Sequence, residues 1–313
     1  MVQATAPGKV ILFGEHAVVY GRPAIAVPVT QVRATAIVTA GPAGCARLVA
    51  PDLGIDVLLE EAGAEEPLVA AVRQVQQAAG LAHLPDFTLT VRSAIPIASG
   101  LGSGAAITAA VIRALATYLK RSDLLSNERV SALTYEVEKI HHGTPSGIDN
   151  TVVAFEQPVY FVRRQPQNYV ETFRVAAPLR LLIGDTGVRS STKAVVMDLR
   201  RQWEADPPRF EAFFDGCGRI TEAARAAIEG GDVAKIGHLM TENQALLQAM
   251  SVSSPELDQL VTAATEAGAL GAKLSGAGRG GNMIALITTE AETAVRQALW
   301  AAGARAVFTT VIE

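Results

Sequence analysis

The feature that most constrains this chain is a predicted strand followed by a glycine-rich loop and a helix. Residues 87–91 alternate apolar and polar side chains, which predicts a strand. Gly100-Leu101-Gly102-Ser103-Gly104 comes next, and residues 105–120 are rich in helix-forming side chains. A glycine-rich turn at the start of a helix exposes backbone N–H groups beside the positive end of the helix dipole. The segment therefore predicts either an anion-binding loop or a tight turn that only requires glycine.

A second glycine-rich run, Gly276-Ala277-Gly278-Arg279-Gly280-Gly281, matches the pattern GxGxxG. A dinucleotide-binding fingerprint needs a helix after this pattern, whereas residues 283–288 predict a strand. The chain also contains no GxxxxGK[ST] segment, which excludes an ordinary P-loop. We interpret the second run as backbone that approaches a phosphate, with a glycine-rich hairpin as the alternative.

The length of 313 residues predicts two domains, at roughly 150 residues per domain. Predicted strands and helices interleave, and three helical patterns follow Pro207 before the last strands, which predicts an α+β fold rather than a barrel. We expect residues 3–38 to form short strands with loops at their glycines and prolines. A boundary near Pro178 gives an N-terminal domain of residues 1–177 and a C-terminal domain of residues 178–313.

Charge and cysteine usage exclude several classes of protein. The 27 Lys and Arg against 31 Asp and Glu give a net charge of −4, which is not the electrostatic footprint of a nucleic-acid-binding protein. Cys45 and Cys217 have no metal-site or disulfide-framework spacing, which favours a reducing compartment. No stretch approaches about 18 consecutive apolar residues, and no signal peptide is recognisable. We therefore predict a soluble cytoplasmic protein without nucleic-acid or membrane partners.

Two further segments place charged side chains next to glycine. Gly8-Lys9 begins a predicted strand that ends in Gly14-Glu15-His16, although a lone lysine or histidine is usually structural or solvated. Ser146-Gly147-Ile148-Asp149-Asn150 follows a helix predicted over residues 127–142. Asp149 taken alone is most simply a helix-capping residue. Neither segment identifies a site by itself.

Together, the order and spacing of these four segments resemble one family, the GHMP kinases, and within it the branch that acts on mevalonate. The resemblance covers nearly the whole chain. The segments that carry it are Ala6-Pro7-Gly8-Lys9 with Gly14-Glu15-His16-Ala17-Val18-Val19-Tyr20-Gly21, Ile95-Pro96 with Gly100-Leu101-Gly102-Ser103-Gly104-Ala105-Ala106, and Lys273-Leu274-Ser275-Gly276-Ala277-Gly278. The most discriminating stretch is His142-Gly143-Thr144-Pro145-Ser146-Gly147-Ile148-Asp149-Asn150.

The resemblance implies the GHMP kinase fold, with an N-terminal domain similar to domain 2 of ribosomal protein S5 and a ferredoxin-like C-terminal domain. It implies ATP and Mg²⁺ as cofactors and mevalonate as the small-molecule substrate, phosphorylated on its 5-hydroxyl in isoprenoid biosynthesis. A homodimer is common among similar enzymes. One alternative is another GHMP kinase, such as one that phosphorylates phosphomevalonate, which would need additional cations near Glu15 and His16. The other is a non-catalytic sensor on the same fold.

The resemblance also implies a role for each matching residue. Asp149 would accept the proton of the reacting hydroxyl, and Lys9 would stabilise the alkoxide. Glu138 would hold Mg²⁺, and His16 and Thr192 would contact mevalonate in a pocket that Glu15 helps to shape. The residues expected to bind ATP are Pro96, Ser99, Gly100, Leu101, Gly102, Ser103, Gly104, Ala105, Gly276 and Gly278.

Two positions depart from the family pattern. Gly104 stands where the family has a serine that binds magnesium, so Ser103 or water is expected to complete the metal site. Arg279 stands where glycine is usual. We expect either a negative φ at Arg279 or a guanidinium that reaches the phosphates.

Overall fold

A computed structural model of the protein describes residues 1–63, 66–96, 100–142 and 145–313. These residues group into two compact units that are not contiguous in the sequence. The first unit contains Met1–Lys9, residues 30–96 and Leu101–Glu156, and the second contains Val10–Val29, Gly100 and Gln157–Glu313. Residues 157–177, which the sequence places at the end of an N-terminal domain, thus group with the second unit. The division at 177/178 stays a prediction.

The described residues form helices and strands that confirm the predicted α+β class. No helix among them is long and apolar enough to cross a membrane. In chain order the elements are β1 (Val2–Phe13), β2 (Pro23–Ala40), β3 (Ala46–Ala50), β4 (Ile55–Leu58), α1 (Pro67–Ala78), β5 (Phe87–Ser93), α2 (Ser103–Tyr118), α3 (Asn127–His142), α4 (Ile148–Phe155), β6 (Val159–Val162), β7 (Tyr169–Thr172), β8 (Leu179–Asp185), α5 (Thr192–Ala205), α6 (Pro207–Gly230), α7 (Val233–Ala249), α8 (Pro255–Glu266), β9 (Gly271–Ser275), β10 (Asn282–Ile287), α9 (Glu292–Ala301) and β11 (Ala306–Ile312).

The described residues of the first unit form strands of one sheet and four α-helices. Its strands follow the order β4, β3, β5 and the second half of β2, in which β3 and β5 are parallel and β2 pairs with β5 through residues 34–40. Helix α2 contacts α1, α3 and α4 and is buried along most of its length. A helix that is apolar on nearly all sides has to be enclosed by other elements. This enclosure fixes the position of the N-terminus of α2.

The second unit contains an antiparallel four-stranded sheet in the order β11, β8, β10, β9. The chain passes from β8 through four helices to β9, directly to β10, and through α9 to β11. This is the β-α-β-β-α-β order of a ferredoxin-like domain, with additional helices in its first crossover. The ferredoxin-like prediction is therefore confirmed. The first half of β2 pairs with β6, and β6 pairs with β7.

Two segments differ from the sequence prediction. Residues 3–38 form parts of two long strands instead of several short ones. Pro28 does not interrupt β2, and it lies between the residues that pair with β6 and those that pair with β5, so its missing N–H affects neither of these two ladders. Helix α5 was not predicted at all. Only Val195 and Leu199 are buried on it, so its apolar stripe is short.

Candidate active site

Leu101 and Gly102 of the glycine-rich loop belong to the first unit and lead into helix α2, which begins at Ser103 with Gly102 as its N-cap residue. The backbone N–H of Lys9 donates to the carbonyl of Leu101 at 2.9 Å. Gly102 has a φ of 70°, and a Cβ there would lie 2.8 Å from Cγ of Lys9. Glycine is therefore required for two reasons: it adopts this backbone conformation, and a larger residue would clash with the aliphatic part of the Lys9 side chain. The N–H groups of the first turn of α2 and the helix dipole favour an anion here.

Lys9 and Asp149 form an ion pair in the first unit. The Nζ atom of Lys9 lies 3.0 Å from Oδ1 of Asp149, and the lysine side chain is 5% exposed against 32% for the aspartate. Asp149 is in the first turn of α4, but the N-cap residue of this helix is Gly147, and the helix has no side-chain cap. The interpretation of Asp149 as a capping residue is therefore wrong. Its carboxylate faces an ammonium group instead.

Glu138 on α3 is the second carboxylate of this cluster and is buried. Its burial, and next the negative charge of Asp149, raise the pKa of Glu138 to about 8, while the positive charge of Lys9 acts in the opposite direction. A Cβ on Gly104 would lie 3.6 Å from Oε1 of Glu138. Glu138 therefore lies beside the first turn of α2, together with Lys9 and Asp149.

A buried ion pair joins Glu15, which follows β1, to Lys273 on β9 within the second unit. The Nζ atom of Lys273 contacts Oε1 of Glu15, and neither side chain is exposed. Lys273 also donates to the carbonyl of Leu274 at 2.7 Å. Burial lowers the pKa of Lys273, and the carboxylate of Glu15 opposes this shift. The pocket-shaping role expected of Glu15 stays a prediction, while sequence reasoning gave Lys273 no role.

His16 directly follows Glu15 and has a φ of 59°. Its Nε2 lies 2.9 Å from the carbonyl oxygen of Ala277, which can only accept, so Nε2 carries the ring proton. Burial lowers the pKa of His16 to about 4, and the charges of Arg279 and Lys273 add to this effect. His16 is therefore neutral at pH 7. Its Nδ1 is left as a hydrogen-bond acceptor.

Residues 276–281, here called the 276–281 loop, connect the antiparallel strands β9 and β10, as the hairpin alternative predicted. Gly278 has a φ of 79°, and a Cβ there would lie 1.9 Å from the carbonyl oxygen of Val252. Ser190 donates through Oγ to the carbonyl of Gly278 at 2.7 Å. Thr192 is the first residue of α5 and is exposed. The loop thus contacts the segment that precedes Thr192.

The backbone conformation and the side-chain contacts of Arg279 both differ from what the sequence predicts. Its φ is 53°, so the expectation of a negative φ is wrong. Its Nη2 lies 2.6 Å from Oδ2 of Asp198, and its Nε donates to the carbonyl of Ser251 at 3.0 Å. The guanidinium is therefore bonded within the second unit. The role on phosphates that the sequence suggested has no support from these contacts.

The predicted site residues fall into two sets. The first unit brings together Lys9, Glu138, Asp149 and residues 101–105 and also contains Pro96. The second unit holds Glu15, His16, Thr192, Gly100 and the 276–281 loop. Ser99 lies outside the described residues, as do Gly143 and Thr144 of the discriminating stretch. Within the described ranges no group of three or more His, Cys, Asp or Glu side chains could hold a metal ion. Any further ligand of an ion beside Glu138 would therefore be of another kind, such as the Ser103 hydroxyl expected from the sequence, or water.

Similarity to known proteins decides the family. The sequence profile of the GHMP kinases N terminal domain matches residues 66–157, and that of the GHMP kinases C terminal domain matches residues 224–304. The mevalonate kinase of Thermococcus onnurineus is 34% identical over 331 aligned positions, which cover 100% of this chain and 96% of that protein. The chain belongs to the GHMP kinase family.

Solved structures agree with this assignment. The L. major mevalonate kinase in complex with R-mevalonate superposes on this GHMP kinase with a TM-score of 0.85 and 28% identity, over 100% of this chain and 96% of that one. The Streptococcus pneumoniae phosphomevalonate kinase in complex with phosphomevalonate and AMPPNP gives a TM-score of 0.83 and covers 100% of both chains. At 19% identity it shares the fold with this GHMP kinase. The predicted family and fold are thereby confirmed.

Proposed function

We propose that this GHMP kinase transfers the γ-phosphoryl group of ATP to the 5-hydroxyl of mevalonate, giving 5-phosphomevalonate for isoprenoid biosynthesis. The observation that carries the proposal is the 3.0 Å contact between Lys9 and Asp149 beside the start of α2. Similarity over the whole chain to mevalonate kinases supports the choice of substrate. We propose the cytoplasm as the location, because the two cysteines favour a reducing compartment, and a homodimer as the assembly.

The chemistry requires positioned groups and neutralised charge. Phosphoryl transfer passes through a loose transition state in which charge is spread over the γ-phosphoryl oxygens. Asp149 accepts the proton of the attacking hydroxyl, and the ammonium of Lys9 stabilises the alkoxide as it forms. The N–H groups in the first turn of α2 bind the nucleotide phosphates. Neutral His16, with Nδ1 as an acceptor, contacts mevalonate together with Thr192.

The surroundings of Glu138 fit a magnesium ion. Burial and the charge of Asp149 raise the pKa of Glu138 to about 8 despite Lys9, so a divalent cation beside the carboxyl group would favour its ionised form. Glu138 and Ser103 would hold the ion, and hard oxygen ligands of this kind suit Mg²⁺, which commonly keeps several waters. When bound, Mg²⁺ would neutralise charge on the phosphates.

The alternative activities have less support. A kinase acting on phosphomevalonate needs cations for a substrate phosphate, but the two cations that lower the pKa of His16 are already paired: Lys273 with Glu15, and Arg279 with Asp198. A non-catalytic sensor does not need an acid–base pair. The presence of Lys9, Glu138 and Asp149 in one cluster argues against it.

An assay of ADP release tests the proposal across four candidate substrates: mevalonate, phosphomevalonate, homoserine and galactose. We expect kcat/KM for mevalonate to exceed the other values by at least about 100-fold, which is about 2.7 kcal/mol of transition-state binding. Asp149→Asn serves as the control that the measured ADP comes from this enzyme. A preference for phosphomevalonate would overturn the substrate assignment. ATP binding without turnover of any of the four would favour the sensor.

A further inference from the structure

Arg279 has a backbone conformation that favours glycine. Its φ of 53° lies in the left-handed region, and its neighbours Gly278 and Gly280 also have positive φ. A side chain in this region costs free energy that glycine does not. An arginine here therefore indicates that its side chain makes a contact that offsets the backbone cost.

The contacts of Arg279 reach two separate segments of the second unit. Its backbone N–H donates to the carbonyl of Val252 at 2.8 Å, and its Nε donates to that of Ser251 at 3.0 Å. Its Nη2 pairs with Oδ2 of Asp198 at 2.6 Å. The hydrogen bond from this guanidinium holds the pKa of Asp198 below its ordinary value. One side chain thus joins the connection between α7 and α8 to the second turn of α5.

The 276–281 loop also supports the two residues proposed to contact mevalonate. Ala277 accepts the hydrogen bond of His16 at 2.9 Å. Gly278 accepts from Ser190 at 2.7 Å, two residues before Thr192. Asp198 lies six residues after Thr192 on the same helix. Thr192 therefore lies between two residues that bind the 276–281 loop: Ser190, which contacts Gly278, and Asp198, which pairs with Arg279. His16 is bonded to the same loop through Ala277.

We propose that Arg279 is a positioning residue for mevalonate: through Asp198 it fixes the first turns of α5, and thereby Thr192, relative to His16. The inference rests on the proposed function, because mevalonate is the ligand of His16 and Thr192 only under that proposal. Arg279 acts through α5 and touches neither the hydroxyl nor the phosphates. Its loss should therefore weaken mevalonate binding and leave ATP binding unchanged.

Two variants break the Arg279–Asp198 pair from opposite sides. Arg279→Gly suits the positive φ, so its loop keeps its conformation. Asp198→Asn leaves the loop backbone untouched. Arg201→Gln is the matched control, because Arg201 pairs with the other oxygen of Asp198 at 2.9 Å but is 75% exposed and belongs to α5 itself. We expect each pair-breaking variant to raise KM for mevalonate about tenfold, within the usual range of coupling between contacting residues.

The readout is the set of KM values for mevalonate and ATP, with kcat and the thermal midpoint, for the parent, the single variants and the double variant Arg279→Gly/Asp198→Asn. We expect KM for ATP to change less than twofold, the double variant to be no worse than either single variant, and Arg201→Gln to match the parent. A rise in KM for ATP would identify a phosphate-binding arginine and overturn the inference. A lower thermal midpoint with both KM values unchanged would also overturn it. Failure of the proposed function is distinguishable, because the parent itself would then not phosphorylate mevalonate.

Discussion

The ammonium of Lys9 lies 3.0 Å from the carboxylate of Asp149, and the stem of the same lysine passes against Gly102 at the start of α2. A carboxylate and an ammonium group are thus held as a pair next to a helix N-terminus that favours anions. One hydroxyl can contact both groups, giving its proton to the aspartate while the lysine compensates the charge left on its oxygen.

Replacing Asp149 should slow phosphoryl transfer without destabilising the fold. We expect Asp149→Asn to lower kcat by about 10²–10⁴-fold, the range for loss of a general base, with ATP affinity and the thermal midpoint close to those of the parent. Asp123→Asn, at a carboxylate that is 58% exposed, is the control. Steady-state kinetics and nucleotide titration measure the outcome. Retention of more than about half of the activity would remove Asp149 from the mechanism.

Magnesium dependence tests Glu138. Glu138→Gln should raise the Mg²⁺ concentration for half-maximal rate at least about tenfold, the equivalent of about 1.4 kcal/mol. Glu136→Gln on the same helix is the matched control, because its side chain is 46% exposed and pairs with Lys139. The measurement is the rate as a function of MgCl₂ at fixed ATP. Equal Mg²⁺ curves for the Glu138 variant and the parent would show that Glu138 does not hold the ion.

The same titration tests the departure at Gly104. Gly104 lies within α2, and a Cβ there meets nothing closer than Oε1 of Glu138 at 3.6 Å. Gly104→Ser should therefore fit without backbone strain and place a hydroxyl beside Glu138. We expect it to lower the Mg²⁺ requirement modestly, with Gly104→Ala as the control that adds a side chain without an oxygen ligand. An equal effect of both variants would assign the change to helix stability instead.

Removing only one partner of the buried Glu15–Lys273 pair should destabilise the protein strongly. Lys273→Met leaves a carboxylate in the core without its cation, and we expect it to lower the free energy of unfolding by about 3–5 kcal/mol. The double variant Glu15→Gln/Lys273→Met should recover part of this loss, because it removes both charges. Urea unfolding of both variants and of Lys235→Met, an exposed lysine, gives the comparison. Equal destabilisation in the single and double variants would mean that packing, not charge, stabilises this position.

The lowered pKa of His16 predicts a pH dependence of stability. Between the ordinary value of 6.5 and the folded value of about 4, the unfolded chain binds a proton that the folded chain does not. Stability is therefore present above pH 6.5 and falls as the pH drops toward 4, by about 3 kcal/mol for this group. His16→Asn suits the positive φ and removes the titration. Denaturant unfolding at pH 7.5 and 4.5 should show a smaller loss in the variant than in the parent, and equal losses would contradict the assignment.

Features that depend on local sequence could be predicted. The glycine loop and the start of α2 follow from glycine geometry and helix propensity over adjacent residues. The Glu15–Lys273 pair joins residues 258 positions apart, which no local pattern specifies. One signal was present, because Lys273 lies between Ala272 and Leu274 in an apolar strand, and a buried lysine requires a carboxylate partner. The Arg279–Asp198 pair was missed because α5, on which Asp198 lies, has too few buried residues to be recognised as a helix.

The interleaving of the two units has a consequence for synthesis on the ribosome. Glu15 is made 258 residues before Lys273, and His16 is made 261 residues before Ala277. At roughly 5–20 residues per second, tens of seconds pass between the synthesis of Glu15 and His16 and the synthesis of their partners. Contacts so distant in sequence also close late in folding. Glu15 and His16 must therefore stay accessible on the nascent chain until strand β9 and the 276–281 loop have emerged.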